Sequence, residues 1–154
     1  MPHINELYDF TITVFIVHDG RALLVNHPRY NKWIPMGGHI ELDEDPEQAL
    51  HREIAEETGL AVELLTSTPA IESPGTKFLP TPNYLDVHEA NAPHKHISLT
   101  YFAVAASEQF TKSDEHTDMR WFTADELRDP QYNLSAAIVF YAEQALLLAK
   151  QKAE

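Results

Sequence analysis

Three glutamates lie within five residues of one another in the stretch REIAEETGL, residues 52–60. On an α-helix, Glu53, Glu56 and Glu57 stand at i, i+3 and i+4 and therefore share one face. Like charges at this spacing destabilise an exposed helix by roughly 0.2–0.5 kcal/mol per pair. A divalent cation reverses the sign of that effect, and Mg²⁺ prefers carboxylate oxygens together with substrate phosphates. The spacing is also typical of a solvated acidic helix face, so both interpretations stay open at this point.

The residues at the two ends of this segment predict the helix that carries the glutamates. Asp45 is the predicted N-cap, Pro46 suits the first helical position, and Gln48 completes a capping-box pattern. Gly59 supplies a left-handed stop at the other end. The acidic cluster is therefore predicted to occupy the last turns of a short, well-capped helix.

The remaining elements are predicted from hydrophobic periodicity and turn residues. Residues 27–33 are predicted to form a loop, and residues 66–93, which contain five prolines, an irregular segment with a short strand near YLDVH. Helices and strands mix without strict βαβ alternation, which predicts the α+β class, with helices packed on a mixed β-sheet. The predicted strands are 11–17, 22–26, 61–65, 96–105 and 118–122, and the later helices start at the Thr123–Glu126 capping box and span 134–152.

The bulk composition restricts the class of protein. The 154 residues, 44% of them hydrophobic, predict a single domain over residues 1–154. The net charge of −13 argues against a nucleic-acid polymer as partner. No apolar run approaches the roughly 20 residues that span a bilayer, and the first ten residues lack the basic and apolar regions of a secretory signal. Together with the absence of cysteine, these features predict a cytoplasmic protein without a membrane partner.

The full stretch GHIELDEDPEQALHREIAEETGL, residues 38–60, resembles the signature box of the Nudix hydrolases. It has Gly, five residues, Glu, seven residues, and then Arg-Glu-aliphatic-x-Glu-Glu-x-Gly-aliphatic, with every defining position filled. By average residue usage such a match arises by chance on the order of once in ten million chains. The flanking segments NKWIPMGGHIE and MRWFTADEL also resemble the family. The family more often has Pro-Gly-Gly where this chain has Pro-Met-Gly-Gly, with Met36 inserted after the proline.

The resemblance implies a Nudix-type α/β/α sandwich and a Mg²⁺-dependent or Mn²⁺-dependent hydrolase. Such enzymes cleave a nucleoside diphosphate linked to another group, by attack of water on a phosphorus of the pyrophosphate. By similarity, Glu53, Glu56 and Glu57 are expected to be metal ligands and catalytic residues. The backbone carbonyl of Gly37 or Gly38 is expected to add another ligand.

The resemblance also assigns residues around these ligands. Glu44 and Arg52 correspond to the pair that braces the loop against the helix, and Arg52 is expected to orient a metal-binding carboxylate. Many members use a further glutamate from a loop before the late strand as ligand or general base. Glu115 is the predicted residue for that role, with Glu108 and Asp118 as alternatives, and the identity of the general base stays open.

The substrate is not specified by the residues outside the box. A nucleoside triphosphate, an oxidised nucleotide or a nucleotide sugar such as ADP-ribose fits the resemblance. An isopentenyl-diphosphate isomerase-like enzyme is a rival on the same scaffold, but the familiar type needs a catalytic cysteine that this chain lacks. A second rival is a non-catalytic sensor of nucleotide metabolites, against which the intact box argues. A homodimer is an open alternative to a monomer.

Nine histidines raise the question of a second metal site. His94 and His96 are two residues apart and are predicted to face one side of a strand, and His88 precedes them. A zinc site needs three or four ligands, so ordinary loop and strand positions are the first expectation, a substrate-pocket role the second and zinc the third. The segment that holds these histidines resembles a stretch in one branch of the family. His39 and His51 occupy variable box positions and receive no predicted role.

Overall fold

The computed structural model describes residues 3–111 and 118–154. Within these ranges the chain forms eight β-strands, three α-helices and a 3₁₀ turn at Pro130–Tyr132. None of the described helices is long and apolar enough to cross a membrane. The elements in chain order are β1 (Tyr8–His18), β2 (Arg21–His27), β3 (Lys32–Ile34), β4 (Met36–His39), α1 (Pro46–Glu57), β5 (Val62–Leu64), β6 (Tyr84–Glu89), β7 (Lys95–Ala105), β8 (Asp118–Phe122), α2 (Ala124–Leu127) and α3 (Ala136–Ala153).

All eight strands belong to one sheet, whose centre is the pair formed by β1 and β7. These two strands run parallel and stay in register from Tyr8 opposite Lys95 to Val17 opposite Val104. The other described strand pairs are antiparallel: β2 and β4 lie along β1, β5 and β6 lie along β7, and β3 and β8 lie along β2. The predicted mixed sheet is therefore confirmed.

Helices cover both faces of this sheet. Because successive side chains of a strand point to opposite faces, each central strand contributes to two cores. On β1, Ile12, Val14 and Ile16 pack with residues of α1, whereas Phe15 and Val17 pack with residues of α2 and α3. Each fully buried side chain of this size contributes about 1.5–3 kcal/mol. The result is the predicted α/β/α sandwich, with α1 on one side and α2 and α3 on the other.

Both ends of α1 follow from local sequence. The Asp45 side chain accepts a hydrogen bond from the Gln48 backbone N–H, and the Gln48 side chain accepts one from the Asp45 N–H, each at 2.9 Å. At the other end Gly59 has φ +65° and donates its N–H to the carbonyls of Ile54 and Ala55. The capping box and the left-handed stop are thus confirmed, and they fix which turns of α1 carry the glutamates.

Among the boundaries that differ from the prediction, two have a clear local cause. Residues 27–33 do not form a loop throughout, because Lys32–Ile34 pairs with β2 as the short strand β3. Three residues are too few to show a strand period in the sequence. The last helix starts at Ala136 and not at 134, because the Ser135 side chain caps it by accepting the Ile138 N–H at 3.2 Å. The strand expected near YLDVH is confirmed as Tyr84–Glu89.

We predict that Gly37→Ala destabilises the fold by about 2–5 kcal/mol, measured as the free energy of unfolding in urea. Gly37 has φ +153°, and an added Cβ would lie 2.1 Å from the backbone carbonyl oxygen of Ile12. Gly20→Ala is the matched control, since Gly20 has φ +69° but no described heavy atom within 4 Å of the added Cβ. We expect that variant to lose only about 1 kcal/mol, from backbone strain. Equal losses in the two variants would show that the contact with Ile12 has no effect.

Candidate functional site

The C-terminal half of α1 presents the three box glutamates in different environments. Glu53 and Glu57 are buried, with 8% and 3% of their surface exposed. The side chain of Glu56 is 60% exposed. Burying a carboxylate is unfavourable unless a cation or hydrogen-bond donors compensate the charge. The helix therefore holds two carboxylates against the sheet and one towards solvent, in a place where hydrogen-bond donors or positive charge must compensate them.

The helix dipole adds to that requirement. The C-terminal end of an α-helix carries a partial negative charge, so carboxylates are unfavourable there. Glu56 and Glu57 are the last residues of α1, and its last turn, which is described in full, contains no basic residue. Any positive charge that compensates these two carboxylates therefore comes from outside that turn or from a bound ion.

Arg52 supplies part of this charge. Its Nε and Nη2 donate to the two carboxylate oxygens of Glu44 at 2.5 and 3.0 Å. Its Nη1 donates to Glu53 at 2.9 Å and to Glu56 at 3.3 Å. Its Nη2 also donates to the backbone carbonyl of His39, at the end of β4, at 3.2 Å. One guanidinium thus joins the loop before the helix, the strand before that loop and two of the three glutamates.

The same contacts shift two pKa values. The hydrogen bonds from Arg52 hold the pKa of Glu44 below its usual value of 4.5. Hydrogen bonds to Glu44 and Glu53 raise the pKa of Arg52 above its ordinary value, although its partial burial acts in the opposite direction. The pair is therefore fully charged at neutral pH. The structure brings Glu44 and Arg52 together in the arrangement expected of a brace, while their roles in a reaction stay predictions.

The glycine turn of β4 lets this cluster approach the sheet. A Cβ on Gly38 would lie 2.2 Å from Oε1 of Glu53, closer than any side chain tolerates. Because Gly38 has no side chain, the Glu53 carboxylate rests directly on the strand backbone. The position of Gly38 beside Glu53 is compatible with the predicted use of a glycine carbonyl as a ligand.

The predicted loop carboxylate, Glu115, lies outside the described residues. Of its two alternatives, Glu108 forms an ion pair with Arg21 at 2.6 Å, and its backbone carbonyl accepts the Trp121 indole N–H at 3.0 Å. Asp118 is the first residue of β8, and its side chain accepts the N–H of Met119 at 2.8 Å. Both alternatives therefore already have partners in this structure.

A second group of polar side chains lies apart from the glutamates. Ligand atoms of Asp9, His39 and His96 lie within 4.8 Å of one another. The His88 ring is 5.2 Å from the His96 ring, and Nδ1 of His94 lies 3.8 Å from Asp9. Asp9 and His39 were not predicted to belong to this group, because only the register of β1, β4 and β7 brings them to His96. Alternation along a predicted strand indicates to which face of the sheet each side chain points, but not which residues of the adjacent strands lie beside it.

Comparisons with known proteins agree with this architecture. The NUDIX domain family matches residues 8–144. A NUDIX-family hydrolase from Clostridium perfringens is 33% identical, with 92% of this chain and 97% of that chain covered and a TM-score of 0.80. A MutT NUDIX hydrolase from Burkholderia pseudomallei is 28% identical over 90% of this chain and 98% of its own, with a TM-score of 0.66. A MutT-like protein from Streptomyces ambofaciens is 43% identical over 51 residues, and the match spans 33% of that relative's length.

The lowered pKa of Glu44 predicts a pH-dependent contribution to stability. A carboxyl whose pKa is depressed on folding stabilises the protein fully above its ordinary value of 4.5 and loses that contribution as pH falls through the lowered pKa. We expect the urea midpoint of the parent to exceed that of Glu44→Gln at neutral pH, with the difference disappearing under acid conditions. Glu63→Gln is the control, since Glu63 pairs with Lys152 but has a 77% exposed side chain, and its difference is expected to be smaller. A difference between parent and Glu44→Gln that does not vary with pH would contradict this account.

Proposed function

Because this chain belongs to the Nudix family of hydrolases, we propose that it is a Mg²⁺-dependent pyrophosphohydrolase that cleaves a nucleoside diphosphate linked to another group. The proposed substrates are a nucleoside triphosphate, an oxidised nucleotide or a nucleotide sugar such as ADP-ribose. One observation carries the proposal: the complete box folds so that Arg52 gathers Glu53 and Glu56 beside the Gly38 backbone.

The donor set fits a hard divalent cation. Glu53, Glu56 and Glu57 offer only carboxylate oxygens, which suit Mg²⁺ and Mn²⁺ better than softer metals. Arg52 contributes one positive charge against the three carboxylates that it contacts, those of Glu44, Glu53 and Glu56. The cluster therefore retains a net negative charge, part of it buried. When bound, a divalent ion supplies neutralisation and alignment of the two phosphates and acidifies water for attack.

The residues of the chain then have distinct proposed tasks. Arg52 fixes the orientation of Glu53 and Glu56 through Nη1, so that both carboxylates are in place before substrate arrives. In the reaction a water oxygen forms a bond to phosphorus, the bridging P–O bond breaks, and the proton of the water passes to a carboxylate. Glu115 is the proposed loop carboxylate, and the helix glutamates are the alternatives for accepting the proton.

The remaining sequence predictions complete this proposal. The enzyme is proposed to act as one domain, on a small nucleotide-containing substrate and without a nucleic-acid polymer. A cytoplasmic location and a choice between monomer and homodimer stay predictions. The negative charge of the chain, −13, is consistent with an anionic substrate only if bound cations screen it, which agrees with the metal requirement.

The first test is a screen for phosphate, pyrophosphate and phosphomonoester products over nucleoside triphosphates, dinucleoside polyphosphates, ADP-ribose, nucleotide sugars and diphosphoinositol compounds, with and without Mg²⁺. We expect turnover only with the metal, and a loss of at least about 100-fold in both Glu56→Gln and Glu57→Gln. Glu47→Gln, in the first turn of the same helix, is the matched control and is expected to keep activity.

Two other outcomes of this screen would contradict the proposal. Activity retained in both variants would show that the glutamates at the end of α1 are not the reactive centre. No turnover on any compound, with binding of one that survives in the variants, would favour the non-catalytic sensor.

A separate prediction concerns the contact between the strand and the helix. Gly38→Ala is expected to displace the Glu53 carboxylate, since the new Cβ would lie 2.2 Å from Oε1, and to weaken Mn²⁺ binding by about 10–100-fold. Electron paramagnetic resonance of free Mn²⁺ measures the affinity, and circular dichroism verifies the fold. Gly75→Ala, with no described heavy atom within 4 Å of its added Cβ, is the control. Unchanged Mn²⁺ affinity in a folded Gly38→Ala protein would rule out Glu53 as a ligand held by this contact.

A further inference from the structure

Four polar side chains cross four adjacent strands in the order β4, β1, β7, β6. His96 of β7 stands directly opposite Asp9 of β1 on one side and His88 of β6 on the other. His39 of β4 is paired with Thr11, two residues from Asp9 and therefore on the same face. The rings of His39 and His96 approach to 5.0 Å at a near-perpendicular angle. The arrangement is a compact row on the sheet.

This row lies on the sheet face opposite α1. Gly38 faces Glu53, so the next residue, His39, points to the other side. On β1, Asp9 is an even number of residues from Phe15 and Val17, so its side chain points to the same face of the sheet as theirs. That face packs under α3. The row is thus separated by the thickness of the sheet from the carboxylates of the proposed active site.

We infer that Asp9, His39 and His96 form a second metal site, which binds a Zn²⁺-class transition ion and is distinct from the acidic site on α1. One carboxylate oxygen and two imidazole nitrogens already lie within 4.8 Å of one another. Ligands at about 2.0–2.2 Å from a tetrahedral zinc ion are separated by about 3.3–3.6 Å. Small side-chain rotations therefore bring the three ligands into coordinating positions, and the side chains of Asp9 and His39 are exposed enough, at 38% and 58%, to rotate.

The donor types select the metal. Imidazole nitrogen suits Zn²⁺ and other transition ions, whereas Mg²⁺ takes oxygen ligands almost exclusively. The two faces of the sheet therefore differ in kind: three carboxylates on the α1 side and two imidazoles with one carboxylate on the other. Excess Mg²⁺ is expected to fill the first site without displacing zinc from the second.

The surroundings of the row favour ligation in two ways. Burial, and then the neighbouring His39 and His88, lower the pKa of His96, so its ring is neutral and keeps a lone pair for a metal. Nδ1 of His88 lies 2.7 Å from the carboxylate of Asp86, which leaves Nε2 as the nitrogen available to an ion. A histidine that binds a metal through one ring nitrogen usually donates the N–H of its other ring nitrogen to a carboxylate or a carbonyl. His88 thus stands beside the three ligands, with its ring 5.2 Å from that of His96 and its Nδ1 held by Asp86.

Zinc binding would join three strands that are distant in sequence. The ion would tie the first residues of β1 and β7 to the end of β4, so we expect zinc to raise the thermal midpoint of the parent protein. This inference does not depend on the proposed hydrolase reaction, because the ligands and the measurements below concern metal binding alone.

The test uses tag-free, chelator-treated full chain in excess Mg²⁺, titrated with Zn²⁺ by calorimetry and with Co²⁺ by visible absorption. We expect one ion per chain and a higher thermal midpoint. His39→Gln and His96→Gln are each expected to weaken Zn²⁺ binding by more than about 100-fold. That is a larger loss than the roughly 10–100-fold that follows mutation of a residue which only supports a ligand. Circular dichroism of each variant verifies the fold, and Asp9→Asn provides a third variant at the carboxylate. His51→Gln, an exposed histidine of α1, and Glu56→Gln at the acidic site are expected to keep the ion.

Three results would overturn the inference. One is absence of stoichiometric Zn²⁺ binding by the parent. Another is binding that survives in both His39→Gln and His96→Gln, which would indicate adventitious surface binding only. The third is loss of Zn²⁺ in Glu56→Gln with retention in His96→Gln, which would move the ion to the acidic helix.

Discussion

The proposed active site depends on holding mutually repelling carboxylates together at the negative end of a helix. Arg52 contributes most to this among the described contacts, because its planar guanidinium donates to three carboxylates and one backbone carbonyl at once. A lysine has a single charged nitrogen and cannot reproduce this fork. Glu44 keeps the fork in place from the preceding loop, and the capping box at Asp45 sets where the helix begins. Each of these elements lies within the short stretch of chain that also contains the glutamates.

The strand β4 connects the two candidate sites. Gly37 packs against the carbonyl of Ile12, Gly38 lets Glu53 rest on the backbone, and His39 projects to the opposite face while its carbonyl accepts from Arg52. Successive residues of one strand thus contribute to the sheet, to the proposed hydrolase site and to the proposed zinc site. The sheet between the two proposed sites would keep their ligand chemistries apart and would allow one chain to hold both a hard and a softer cation.

The parts of the fold that follow local rules were predictable from the sequence. The caps of α1, the Asp19–Gly20 hairpin with both residues at positive φ, and the buried strands 11–17 and 96–105 all depend on neighbouring residues. The Nudix box also lies in one continuous segment. The grouping of Asp9, His39 and His96 was not predictable, because it depends on strand register between distant segments. The short strand β3 escaped prediction because its pairing with β2, and not its own sequence pattern, defines it.

The parallel pairing of β1 with β7 has a consequence for how the chain folds. Tyr8 lies opposite Lys95, so the centre of the sheet forms only after a loop of more than 80 residues has closed. The entropy lost in closing such a loop is compensated only once the strands are paired, and topologies of this kind fold slowly. In contrast, α1 and its caps form from neighbouring residues. During synthesis, the acidic helix therefore leaves the ribosome well before β7. The apolar strand β1 stays unpaired with β7 during that time. Until then, this apolar strand is exposed to aggregation, and the charge of −13 on the chain opposes that association.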